Sequence, residues 1–160
     1  MRTRYAAFVL AASLALAAPA YAANCTYTLG YWWNHPTDWP VTSLQLGTVH
    51  YDQAQLLSIL ANDPSTNGLV QLARQLIAVK LGIANGADPT AVNMAVADAD
   101  AMIGGLVVPP VGGGYLAPSV TGPLITQLDY FNTGIVGPGH CDGTTAARTS
   151  TWGRIKTLYR

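Results

Sequence analysis

Gly68-Leu-Val-Gln-Leu-Ala-Arg-Gln-Leu-Ile-Ala-Val-Lys-Leu-Gly-Ile-Ala84 is the stretch from which the fold class follows. Leu69, Ala73, Leu76, Ile77 and Leu81 recur at helical spacing, while Gln71, Arg74 and Gln75 fall off that stripe. The segment therefore reads as a long helix, ended by Asn85-Gly86. Upstream, Asp52 is placed to cap a helix running to about residue 61, with Leu56, Leu57, Ile59 and Leu60 turned inward and Asn62-Asp-Pro64 as the stop. Downstream, Asp88 and Pro89 form the N-cap and first position of a third helix. Its stripe of Val92, Ala95, Val96, Ala99, Met102 and Ile103 is rich in small residues that let neighbours approach. A fourth helix is expected over about 121–132, through Leu124, Ile125, Leu128 and Phe131, with Thr133-Gly134 as the break. Four helices joined by short or ordered loops predict a mainly α bundle with a small irregular or hairpin N-terminal cap.

The cap lies just before the first helix. Ser43-Leu-Gln-Leu-Gly-Thr-Val-His-Tyr51 alternates apolar and polar residues around a glycine, which predicts a hairpin with Leu44, Leu46, Val49 and Tyr51 on one face and His50 on the other. Between the third and fourth helices, Gly104-Gly-Leu-Val-Val-Pro-Pro-Val-Gly-Gly-Gly-Tyr-Leu-Ala-Pro118 has too many glycines and prolines for either element. It reads as a long ordered loop. Two roles are open: a crossover held by Val107, Val108 and Val111, or one wall of a binding surface with Tyr115 at its tip. Its glycines lack the lysine of a phosphate loop.

At the N-terminus, two arginines, an apolar run over 5–18 and Ala20-Tyr-Ala22 have the three-part form of a secretory signal peptide, removed after Ala22. That run is too short to span a bilayer, and no later segment is long and apolar enough. Residues 23–141 are expected to form one domain. Export makes a disulfide the default for the two cysteines, Cys25 and Cys141, which bracket it. Asn24-Cys-Thr26 matches a glycosylation acceptor.

Cys25-Thr-Tyr-Thr-Leu-Gly-Tyr-Trp-Trp-Asn-His-Pro-Thr-Asp-Trp-Pro40 holds three of the four tryptophans. Together with Leu-Gly-Thr-Val, Ala-Asn-Gly-Ala-Asp-Pro, Gly-Gly-Leu-Val-Val-Pro-Pro-Val-Gly and the closing Gly137-Pro-Gly-His-Cys141, it resembles a group of secreted bacterial domains. The similarity runs from Cys25 to Cys141. The family pattern has glutamine at the place of Leu29 and lysine at the place of Trp33. The resemblance implies a single extracellular domain and brings no activity with it.

Charge is sparse and contains no glutamate. Residues 23–141 hold Arg74 and Lys80 against seven aspartates, a net of −5, whereas 142–160 hold four basic residues against Asp142, a net of +3. No basic patch invites nucleic acid. After Cys141 a small polar linker leads to Thr151-Trp-Gly-Arg-Ile-Lys-Thr-Leu-Tyr-Arg160, which is similar to short basic and aromatic tails on some exported bacterial proteins. Trp152, Arg154, Lys156, Tyr159 and Arg160 are its candidate docking residues, on a partner or anionic envelope surface or on the domain's own acidic face.

Three kinds of chemistry follow from these residues. Tyr27, Tyr31, Trp32, Trp33 and Trp39, with Asn34, His35 and Asp38 beside them and Tyr115 as a neighbour, supply the aromatic and polar groups that a glycan or protein surface needs. In an extended chain Trp32 and Trp33 point opposite ways, so one of them is expected in the core. His35, His50 and His140 are candidate metal ligands, without the local spacing of a metal motif. No Gly-x-Ser-x-Gly elbow, carboxylate pair or His-Glu-x-x-His is present, which leaves His35 and His140 as the sensible bases of any hydrolase. The expected protein is a secreted binding or surface-structural module without a cofactor, its partner a glycan or protein surface. A small metal-dependent enzyme centred on His35 and His140, and a subunit that self-assembles through its basic tail, are the alternatives.

Overall fold

A computed structural model describes residues 24–64 and 66–141; the expected signal peptide over 1–22 and the expected linker and tail over 142–160 lie outside the described residues. The architecture is mainly helical, with a single two-stranded sheet: α1 (Leu29–Asn34), a 3-10 turn (Pro36–Asp38), β1 (Ser43–Leu46), β2 (Val49–Asp52), α2 (Gln53–Ala61), α3 (Gly68–Ala84), α4 (Asn93–Ile103) and α5 (Pro118–Asn132). No helix is long and apolar enough to cross a membrane among the described residues.

The fold is arranged around α3. Besides the expected stripe, Val70, Leu72, Ala78 and Val79 are also buried, so the helix is apolar nearly all round and occupies the middle of the core. It packs against α1, α2, α4, α5 and β1. Its N-terminus is held by Asn67, whose side chain accepts from Leu69 N and donates to Gly114 O at 2.9 Å.

Three elements form as their residues predict. Asp52 caps α2 in a reciprocal box with Gln55: Gln55 N donates to Asp52 Oδ1 at 2.8 Å and Asp52 N to Gln55 Oε1 at 3.0 Å. In the antiparallel hairpin Leu44 faces Tyr51 and Leu46 faces Val49, with Leu46 and Tyr51 buried and His50 exposed on the opposite side. Gly47 opens the turn at φ +60°, with the backbone of Gly104 so close that a Cβ could not be accommodated. After α5, Gly134 at φ +73° completes a Schellman ending, in which Ile135 N donates to Tyr130 O and Gly134 N to Phe131 O.

Elsewhere the chain departs from expectation. Regular helix α4 begins at Asn93, because Asp88 Oδ1 accepts from both the amide and hydroxyl of Thr90 and closes a local turn there. The same two bonds hold the Asp88 carboxyl below its ordinary pKa. Helix α5 starts at Pro118, whose fixed φ suits the first helical position, and it tolerates Pro123 inside. The long loop is anchored by Val108, which is fully buried and donates its amide to Tyr51 Oη at 2.9 Å, whereas Val107 and Val111 are exposed. The aromatic stretch, which showed no periodic signal, contains the additional short helix α1.

The Cys25–Cys141 disulfide closes this unit, with its Cα atoms 4.9 Å apart. Beside it, Thr26 N donates to Gly139 O at 2.8 Å and Cys141 N to Thr26 O at 2.9 Å, forming a parallel bridge between Thr26 and His140. The aromatic stretch and the C-terminal corner are therefore joined by backbone as well as by sulfur.

Candidate functional site

Thr28 sets the site by starting α1: its backbone is extended and its Oγ1 accepts from Tyr31 N at 3.2 Å. One turn of helix then places residues four apart on the same side. Tyr27 and Tyr31 stack with ring centroids 3.9 Å apart, and Tyr31 and His35 stack at 4.3 Å. His35 Nδ1 lies 2.9 Å from Tyr31 O, which fixes the imidazole at the end of the helix. His140 meets the other end of the stack, edge-on to Tyr27 at 6.4 Å. The two stacked phenols are thus bounded by two histidines from opposite ends of the domain.

Trp32 points the other way. It is 1% exposed, contacts both tyrosines edge-on and enters the core. Trp39 is buried beside it, and its Nε1 donates to Trp32 O at 2.8 Å, clamping the last turn of α1. Both were among the expected contact residues, with one of Trp32 and Trp33 expected in the core; Trp32 and Trp39 are the two that are buried. Trp33, the next residue round the helix, is 46% exposed. Asn34 is also exposed and donates to Gly30 O at 2.8 Å along the helix.

Asp38, carried by the 3-10 turn after Pro36, accepts from Tyr31 Oη at 2.8 Å. This hydrogen bond to the carboxylate, with lesser contributions from burial and from the Asp38 charge, pushes the Tyr31 pKa up to about 12. Tyr31 remains a neutral donor at physiological pH. Its rings' faces are occupied within the stack, so a ligand can reach only the ring edges, the outer face of the ladder and the exposed indole of Trp33.

The remaining expected residues lie apart from this cluster. Tyr115 is 59% exposed in the loop preceding α5, where its neighbours Gly114 and Leu116 are tied to Asn67, and no ring contact among the described residues links it to α1. His50 sits on the hairpin opposite Gln45. Of the three histidines, only His35 and His140 meet the tyrosine stack, and no group of three His, Cys, Asp or Glu side chains suited to a metal occurs among the described residues. Sequence reasoning missed the Thr28 cap and the ladder of Tyr27, Tyr31 and His35, whose four-residue spacing is too short a run to signal a helix by itself.

No family model, curated protein or solved structure matches this chain.

Proposed function

We propose that the chain is a secreted, extracellular binding or surface-structural module, and that its contact face is the outer side of α1: Trp33, the edges of the Tyr27–Tyr31–His35 stack, and the rim formed by Asn34 and Asp38. The observation that carries this reading is the division between adjacent tryptophans, one sealed in the core and one exposed at 46% beside a rigid, hydrogen-bonded aromatic ladder. A large amphipathic side chain on an ordered base loses little conformational freedom on contact, which suits recognition of a glycan or a protein surface. The disulfide agrees with an oxidising compartment. The motif resemblance to secreted bacterial domains, and the gathering of α2, α4 and α5 around α3 as a bundle, belong to the same reading.

The test is co-sedimentation of the purified protein with insoluble peptidoglycan, chitin and cellulose, compared between the native chain and Trp33→Ala. Retention on one of these polymers that is lost in Trp33→Ala supports a glycan-binding face. Retention equal in both proteins removes α1 as that face, and retention on none removes glycan as the partner.

A further inference from the structure

A second candidate site lies behind α1. A cleft of about 220 Å³ opens between Leu29 at the start of α1, Pro64 in the α2–α3 connection, Gln71, Arg74 and Gln75 on α3, and Ile125 on α5. It is smaller than the roughly 300–1,000 Å³ sites that take drug-sized ligands. Its wall is apolar at Leu29, Pro64 and Ile125, and its polar groups are unequally occupied.

Both glutamines use their amide donors within the protein. Gln71 Nε2 donates to Pro64 O at 3.0 Å, and Gln75 Nε2 to Asp129 Oδ1 at 3.2 Å, while Gln75 Oε1 accepts from Asn132 at 2.8 Å. Arg74 differs. Residues 24–141 contain two cations, and the other, Lys80, is paired with Asp100 at 2.7 Å in the only salt bridge among the described residues. Arg74 Nε is buried with no hydrogen-bond partner. Nε itself is sealed from solvent, so a ligand in the cleft meets the terminal Nη groups of the guanidinium, which offer a planar fork that a carboxylate matches with two parallel bonds.

We infer that this cleft binds a small monocarboxylate with an aliphatic body, the carboxylate on Arg74 and the chain against Leu29, Pro64 and Ile125. Arg74 is the one cation in a wall otherwise made of Leu29, Pro64, Ile125 and two glutamines whose amide donors are already used, and one cation selects one negative charge. Asp63 acts electrostatically on Arg74 and already offsets part of its charge, which leaves room for at most one added negative charge and disfavours a phosphate dianion. Burial holds the Arg74 pKa below its ordinary value, in keeping with a guanidinium partly stripped of water. The site is separate from the exposed face of α1 and does not depend on Trp33.

The probes are 4-methylpentanoate and its uncharged counterpart 4-methylpentanamide, titrated into the intact chain at pH 7 while the Arg74 Nε–Hε signal is followed by NMR. The acid is expected to give a saturable shift with a dissociation constant of roughly 1–10 mM, as befits a ligand of so few atoms, and the amide to bind at least about tenfold more weakly. Arg74→Gln should abolish saturation by the acid as seen in backbone amides of α3, and Ile125→Phe, which fills the cleft and leaves Arg74 in place, should do the same. Equal binding of acid and amide overturns the inference, as does absence of saturation with the native chain. Because that comparison needs no substitution, it decides the matter even where a variant fails to fold.

Discussion

Replacing both Cys25 and Cys141 with serine tests how the ends of the domain are held. The bridge spans a sequence separation of 116 residues, for which the chain-entropy model gives a stabilisation of about 4.8 kcal/mol at 25 °C through restriction of the unfolded chain. The Thr26–Gly139 and Cys141–Thr26 backbone bonds belong to the native state of both proteins, so they do not lessen that difference. They do give the reduced chain a reason to keep the same corner once folded. Since domains of this size are stable by about 5–15 kcal/mol, a loss near 4.8 is a large part of the total. Urea unfolding followed by tryptophan emission measures it. The quantity to compare is the free energy extrapolated to water, because the uncrosslinked chain unfolds to a more expanded state and its denaturant slope rises. A loss of about 4–5 kcal/mol with a steeper slope is expected from this model. A loss below about 2 kcal/mol with an unchanged slope would refute the reasoning, since the link would then not be acting on the unfolded ensemble.

Three further outcomes follow from the geometry. Tyr31 has its pKa raised to about 12, so its stabilising bond to Asp38 is fully present below the ordinary tyrosine range near 10 and is lost as pH climbs through about 12. The Cζ NMR signal of Tyr31 should titrate later than those of the exposed tyrosines and return to the ordinary range in Asp38→Ala; no movement in that variant would disprove the assignment of cause. Trp33→Ala should change stability by less than about 0.5 kcal/mol and remove the most acrylamide-accessible emission among the three motif tryptophans, whereas Trp32→Ala should cost about 3–5 kcal/mol by denaturation. Tyr51→Phe leaves the buried Val108 amide without its acceptor, and should lower the unfolding free energy by about 1–3 kcal/mol and speed hydrogen exchange at Val108.

How far the chain could be read without its structure depended on whether local and tertiary signals agreed. Helix α2 carries apolar periodicity, the Asp52 cap and the Asn62-Asp-Pro64 stop, and α3 a long apolar stripe ended by Asn85-Gly86, and those signals place Gln53–Ala61 and Gly68–Ala84 closely. The hairpin was legible for the same reason, since alternation around Gly47 decides which face is buried. The start of α4 was not, because Asp88 has two ways to satisfy Thr90 and its neighbours. A capped helix and a closed turn share the same Asp-Pro signature, and the bonds to Thr90 select the turn. The candidate site was legible in composition but not in geometry. Six residues of α1 are too few to show a periodic stripe, and nothing local distinguishes Trp32 from Trp33 until the core is there to receive one of them.

That limit also explains how the site holds its shape. A six-residue helix has no stability of its own in water, since nucleation costs more than so few hydrogen bonds return. Tyr27, Tyr31 and His35 can therefore form a ladder only if tertiary contacts hold α1 from behind and at both ends. Trp32 does so from behind, by filling the core; Trp39 fixes the last turn through its bond to Trp32 O; and the Thr26–His140 bridge with its disulfide fixes the first. Every one of these supports comes from the same two cysteine-bearing segments that supply the exposed rings. The concentration of aromatics in Cys25–Pro40 thus has two causes in one stretch: Tyr27, Tyr31, Trp33 and His35 make an ordered surface, and Trp32 and Trp39 are what makes a surface on so short a helix possible.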